Sequence, residues 1–270
     1  MIQKKYLQNA VIGGVAVLFG GTRMMPSTDQ NGPVVTTAIA IVSGKAKSDT
    51  ARTSSTLIVA KSKVVAALES FQGVVRPLSS SHALEDAFRS YFAYKATHPN
   101  DVKKPLLYFV DYGLPANTER GYVFDMESFK IVDGPFMVAH GRGSSASKYG
   151  VPTRFSNRHG SAATSLGLYV AQELYSFHGK MAGRSYGSVG LRLQGVSEGY
   201  NDNARSRRVV AHGAPYVTAK GAGRSEGCPA MEPARAKKLL PQLADGAMVF
   251  LFAPDEQWMQ KDQWVTASVD

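Results

Sequence analysis

The chain carries a single cysteine, Cys228, in the segment Gly221-Ala222-Gly223-Arg224-Ser225-Glu226-Gly227-Cys228-Pro229. One cysteine in 270 residues forms no intrachain disulfide and assembles no cysteine-based metal site. The thiol is therefore either a small buried hydrophobe or a reactive group. Three glycines in seven positions make poor core material, but they permit φ > 0 and close approach of a second backbone. Successive N–H groups at such a turn can face a developing oxyanion. An attacking thiol needs a base, and a neutral imidazole within hydrogen-bond reach is the usual one. His212, sixteen residues upstream, ends the run Arg208-Val209-Val210-Ala211 and is followed by Gly213, Ala214 and Pro215. A strand-end histidine can point into a cleft, the plain alternative being a satisfied core histidine. The chemistry available to this pair is nucleophilic attack by a thiol that the imidazole activates.

The elements that must position the pair are mostly short β-like runs separated by Gly, Pro, Asn and Asp: LLYFVDY, GYVFDM, SFKIVD, PFMVAHG, SLGLYVAQ, VGLRLQG, RRVVAHG and AMVFLFA. Eight such strands imply a sandwich or barrel. One helical stretch interrupts them, Glu232 to Leu243, with Ala236, Leu239 and Leu240 as its apolar stripe. Cys228 thus falls in a loop between strand and helix, where catalytic residues concentrate. Further upstream, Leu84, Ala87, Phe88, Tyr91 and Phe92 share one helical face, with Ser81 as the expected N-cap and His98-Pro99 as the end.

Residues 1–25 read as an export signal: Lys4 and Lys5 precede the apolar run Ala10 to Phe19, closed by Gly20-Gly21-Thr22-Arg23. That run is shorter than the about 20 apolar residues of a membrane span. Residues 26–100 are expected to form a linker and helical extension, and 101–270 the catalytic domain. The 31 Lys and Arg against 21 Asp and Glu leave a net charge of +10, which favours an anionic partner. Nucleic acid is disfavoured, because no run of five basic residues, zinc-ligand set or RNA-binding aromatic motif occurs. Phosphate-cradling Gly motifs and a Gly-x-Ser-x-Gly elbow are also missing, so nucleotide and serine-hydrolase chemistry lack a foothold.

The pair Ala211-His212-Gly213 and Gly223-Arg224-Ser225-Glu226-Gly227-Cys228-Pro229 resembles the His-Gly … Ser-x-Gly-Cys signature of the YkuD-type L,D-transpeptidase catalytic domain. In its Gly-Cys-Pro branch, the murein L,D-transpeptidases, further matches are Val138 to Ser144, Phe155-Ser156-Asn157, Ser165-Leu166-Gly167 and Asn201 to Ala204, so the resemblance runs from Tyr108 to Phe252. It implies a mainly β fold with flanking helices (α+β), a mixed β-sandwich catalytic domain. The activity it implies is that of an exported enzyme of the bacterial periplasm or cell envelope, acting on peptidoglycan peptide stems without cofactor or metal. Cys228 would attack the carbonyl of the L-centre of diaminopimelate at stem position three and release D-alanine. A second stem's amine would then resolve the thioester into a 3→3 cross-link. The same resemblance makes His212 the base and the Gly213 carbonyl the group that holds its tautomer. It also makes the N–H groups of Gly227 and Cys228 the oxyanion hole, beside Ser225 of the motif. Two positions depart from the wider family: Glu226 stands where many members have a second His, and Ala230 where they have an Arg.

The stem carboxylates call for a cation, and Arg224, Arg192 or Arg184 could clamp one, the alternative for each being an exposed surface charge. His140, in His-Gly-Arg-Gly-Ser, either lines the cleft or belongs to a Gly-rich strand end. His159 and His178 read as surface histidines in Gly-flanked loops, Asn201-Asp202-Asn203 as a turn, and Gly179–Gly190 as a stretch whose glycines could hinge a lid. Two other functions use the same residues: an L,D-carboxypeptidase or related wall amide hydrolase passing the acyl group to water, and a basic, non-catalytic wall-binding module.

Overall fold

The computed structural model describes residues 59–268. The export signal and the start of the expected linker lie outside them. The first helix, α1, covers 59–71 and turns Ala60, Val64, Ala67 and Phe71 inward. That spacing of four, three and four is one helical stripe. Helix α2 (Ala83–Thr97) buries Ala87, Phe88, Tyr91 and Phe92 as the sequence pattern requires. Its N-cap is His82 rather than Ser81, and no side chain caps it. Instead, the His82 N–H is held by Ser80 Oγ. Phe71, Phe88 and Phe124 meet at centroid distances of 4.7–5.6 Å, so both helices share one core with the sheet.

The strands are β1 (Leu106–Asp111), β2 (Gly121–Asp125), β3 (Lys130–Phe136), β4 (His140–Gly141), β5 (Gly167–Met181) and β6 (Arg184–Gly195). After these come β7 (Val210–Gly213), β8 (Val217–Thr218), β9 (Gly221–Ala222), β10 (Arg224–Ser225) and β11 (Ala230–Met231). Helix α3 (Pro233–Leu243), strand β12 (Met248–Phe252) and the short helix α4 (Glu256–Met259) complete the chain. Eight strands form one mixed sheet in the order β11-β7-β6-β5-β12-β1-β2-β3, while β10-β4 and β8-β9 are separate two-stranded ladders. The fold is thus mainly β with flanking helices. All eight β-like runs fall on or overlap strands of the sheet or its β4 neighbour. Central β12 is buried along its whole length, and β1 from Leu107 onward. Strands covered on both faces read as continuous apolar runs, which is why LLYFV and MVFLF show no alternation. No described helix is long and apolar enough to cross a membrane.

One expectation is corrected. The stretch Gly179–Gly190 is not a hinged loop, and His178 does not lie in a loop: both belong to a continuous β5/β6 hairpin, paired from Tyr169↔Gly195 out to Met181↔Arg184. The glycines are there for space. Gly179 lies opposite Tyr186 and Gly190 opposite Tyr175, and a Cβ at either would come within 2.6 Å of the facing ring. Small residues across from large ones let the rings lie over the ladder.

Asn201 clamps the base of this hairpin. Fully buried, it donates from Nδ2 to the carbonyls of Leu166 and Leu168, both at 3.0 Å, and accepts the Ser197 N–H at 2.9 Å. Asn201→Ala should leave the Leu166 carbonyl and the Ser197 N–H without partners, while the Leu168 carbonyl keeps the Val196 N–H, and lower unfolding stability by about 2–4 kcal/mol. Urea denaturation reads this; a loss under about 1 kcal/mol would mean that water replaces the amide.

Candidate active site

One short parallel pairing sets the segment that carries Cys228 beside the strand that carries His212, although Sγ makes no hydrogen bond to the imidazole. β7 runs beside β11 with His212↔Ala230 and Gly213↔Met231 in register, and the His212 N–H reaches the Pro229 carbonyl at 3.3 Å. Cys228 thus stands two residues before the strand partner of His212. Helix α3, whose Ala236, Leu239, Leu240 and Leu243 are buried, packs behind β6 and β7 and fixes the return of the chain.

His212 is 3 % exposed, and its Nδ1 lies 3.1 Å from the Gly213 carbonyl. A carbonyl only accepts, so Nδ1 carries the proton and Nε2 keeps a free lone pair. The Phe177 ring stacks on the imidazole at 4.0 Å and 19°. Phe177 reaches across β6 because Gly190, the strand partner of His212, has no side chain in the way. Burial pushes the imidazole down to about 4, against the upward pull of the Gly213 hydrogen bond. The base is neutral at pH 7.

Cys228 is half-buried, with Sγ 3.9 Å from the Arg208 carbonyl. Arg208 has φ of 59°, a left-handed conformation unusual for a side-chain-bearing residue. Burial pushes the thiol up to about 11; a backbone hydrogen bond from Val210 and the charge of Arg207 pull it down, and Glu226 raises it. With the imidazole pushed down and the thiol pushed up, both groups rest uncharged at pH 7.

The loop before the nucleophile is stapled. Ser225 Oγ donates to the Cys228 carbonyl at 2.7 Å and accepts the Gly227 N–H at 3.1 Å. Gly227 has φ of +123°, which a side chain would strain, and a Cβ there would lie 2.8 Å from the Ala163 carbonyl. Of the two amides expected to form the oxyanion hole, that of Gly227 is therefore engaged, and that of Cys228 remains. Ser225 acts here on the loop.

The expected cations sit otherwise than as clamps. Arg192 bonds Glu173 at 3.0 Å and stacks on Tyr175 at 4.4 Å; Arg224 is exposed and donates to the carbonyls of Ser145 and Ala146; Arg184 lies at the exposed hairpin tip. His140 does not line a cleft. It is wholly buried, and its Nδ1 accepts from Arg120 Nη2 at 3.0 Å, while burial and the charges of Arg120 and Arg224 push it down to about 3. Its strand β4 pairs with β10 (His140↔Arg224), which supports the nucleophile loop from below. Asn201 is the buried clamp described above, and His159, exposed, meets Ser206 Oγ at 3.1 Å. Among the described residues no group of three His, Cys, Asp or Glu comes together to hold a metal.

Two neighbours escaped the sequence reading. Phe177 carries no motif, only its place in an alternating strand. Arg207 carries no motif either, and both its Nη groups turn inward, to the carbonyls of Ser156 and Ala163 and the hydroxyls of Ser165 and Ser161.

The sequence model of a family described as L,D-transpeptidase catalytic domain matches residues 77–252, which includes α2. No curated protein matches the chain. Among solved structures, an L,D-transpeptidase from Mycobacterium smegmatis is 16 % identical, with 55 % of this chain covering 59 % of that one at a TM-score of 0.33. One from Stackebrandtia nassauensis is 17 % identical (64 % and 67 % covered, TM-score 0.35), and one from Xylanimonas cellulosilytica 12 % identical (55 % and 61 %, TM-score 0.32). The chain thus spans less than two thirds of the Mycobacterium protein.

The buried imidazole has a pH signature. Its folded value, about 4, lies below the about 6.5 of a free imidazole, so the unfolded chain binds this proton more tightly. The contribution of His212 to stability is then complete above pH 6.5 and is lost as the pH falls toward 4. Between pH 7 and 4.5 the wild type should lose about 2 kcal/mol more unfolding stability than His212→Gln. Equal losses in urea titrations would show that the imidazole protonates freely in the fold.

Proposed function

We propose that this chain, which belongs to the L,D-transpeptidase catalytic domain family, is a cysteine acyltransferase of the bacterial cell envelope whose substrates are peptidoglycan peptide stems. The observation that carries the reading is the pairing of His212 with the Gly213 carbonyl on the strand that flanks Cys228, inside the matched segment. Nδ1 is occupied, so Nε2 is the atom left to take a proton.

The steps follow from these atoms. As Cys228 Sγ bonds to the carbonyl carbon at the L-centre of stem residue three, its proton passes to His212 Nε2. The carbonyl oxygen becomes an oxyanion, faced by the Cys228 N–H. Collapse breaks the C–N bond to D-alanine, whose amine takes the proton from Nε2, and a thioester remains. The side-chain amine of a second stem then attacks the thioester carbonyl and gives its proton to Nε2. The C–S bond breaks and the thiol recovers its proton, leaving a 3→3 cross-link. A preorganised backbone donor of this kind is worth about 10²–10³ in rate. A net charge of +10 suits an acidic wall polymer. An exported protein is the form that meets this substrate.

Disaccharide-tetrapeptide muropeptides incubated with the protein should yield dimers lighter by one alanine in the mass spectrum, and Cys228→Ala should yield none. His212→Gln should slow turnover by about 10²–10⁴-fold, the usual worth of a general base. Tripeptide monomers without dimers would assign the acyl group to water. Turnover unchanged in Cys228→Ala would remove the thioester altogether.

A further inference from the structure

A half-buried guanidinium sits beneath the nucleophile with no carboxylate to balance it. Arg207 donates from Nη1 to the Ser156 carbonyl at 2.7 Å and to Ser165 Oγ at 3.2 Å, and from Nη2 to the Ala163 carbonyl at 2.8 Å and to Ser161 Oγ at 3.2 Å. All four acceptors are neutral, and among the described residues no Asp or Glu forms an ion pair with it. The Ala163 carbonyl it holds is the same one that crowds Gly227, and Nη2 lies 3.7 Å from where a Cβ on Gly227 would be. The carbonyl of the next residue, Arg208, is the one that Sγ approaches. The charge is therefore fixed in place beside the residue that precedes the thiol.

We propose that Arg207 is the built-in counter-charge of the active site: its guanidinium stabilises the negative charge on Cys228 sulfur as the thiol proton leaves, and it is not a clamp for a stem carboxylate. A clamp needs free N–H groups on one edge of the fork, and here both Nη groups are spent on the 156–165 loop. A fixed charge needs none, and in a partly desolvated setting its field on a neighbour is far stronger than in water. The other groups around the thiol cannot supply it. His212 is neutral, Glu226 is negative and already paired with Arg142 at 2.7 Å, and Tyr112, Tyr169, Tyr175, Tyr186 and Tyr216 are all held in the neutral phenol form by burial. The direction agrees with the downward pull of Arg207 on the thiol.

The inference rests on Cys228 as the nucleophile, but its test reads the sulfur without any stem substrate. Cys228 is the only cysteine, so iodoacetamide alkylation of the full chain, followed by mass spectrometry, reports one site. Sulfur displaces iodide at a rate set by its thiolate fraction. At pH 8 Arg207→Gln should be alkylated about tenfold more slowly than wild type, the effect of about one unit in the thiol. Arg207→Lys, which keeps the charge but not the fork, should recover most of that rate. An unchanged rate in Arg207→Gln overturns the proposal, as does Arg207→Lys falling as far as Arg207→Gln, since the role would then be the hydrogen-bonded scaffold. If Arg207→Gln melts early, both variants are alkylated below its melting temperature, and equal rates in Arg207→Gln and Arg207→Lys overturn the proposal. Muropeptide turnover surviving in Cys228→Ala would instead defeat the nucleophile assignment and leave the alkylation result standing.

Discussion

The hydrogen bond from His212 Nδ1 to the carbonyl of the very next residue governs what the site can do, because it decides which ring nitrogen is left to move a proton. Such a bond holds only if neither the ring nor the peptide can turn. Phe177 covers one face of the ring, and the peptide of Gly213 is hemmed in: a Cβ there would lie 2.3 Å from Ser188 Oγ and 2.9 Å from Ala236 Cβ. The strand is held on one side by β6 and on the other by β11. Hairpin, strand and helix α3 thus serve one tautomer. Contacts that lock a side chain's rotamer in this way keep a functional group within a narrow geometry.

His140 makes an instructive contrast. It is buried like His212, and each stands in a short strand directly before that strand's last residue, a glycine. Its Nδ1 faces a guanidinium, which can only donate, so its proton sits on Nε2, the reverse of His212. Arg120 itself is fully buried, bonded to the Val138 carbonyl and stacked over Tyr112 at 4.8 Å. One ring is locked to support a ladder, the other to leave a lone pair free. The partner of Nδ1, not the residue type, separates the two jobs.

Much of the sheet was legible because continuous apolar runs and Gly-Pro punctuation mark buried strands, and α3 because its stripe is strong. The outer hairpin was not. Its strands set Gly179 across from Tyr186 and Gly190 across from Tyr175, and glycine reads as a loop until the ring it makes room for is known to lie across the ladder. The order of Cys228, His212 and Gly213 was legible as local motif. The partners of the cations were not legible either. Arg192, Arg224 and Arg207 look alike in sequence, and their partners, Glu173, Ser145 and the 156–165 loop, stand 19 to 79 residues away. Long-range pairing of charges leaves no trace in spacing.

The sheet also fixes an order of assembly. His212 and Cys228 lie within 207–231, so closing that loop carries little entropy. The middle of the sheet is different: β12, the last strand of the chain, lies between β1 and β5, and its partner Leu107↔Met248 closes most of the described chain. During synthesis from the N-terminus, β1 and β5 each present an unpaired edge until residues 248–252 arrive. Parallel pairing over such a separation is intrinsically slow. The polypeptide therefore stays threadable until its final strand is available, and a chain cut short before Met248 has a split sheet instead of a smaller one.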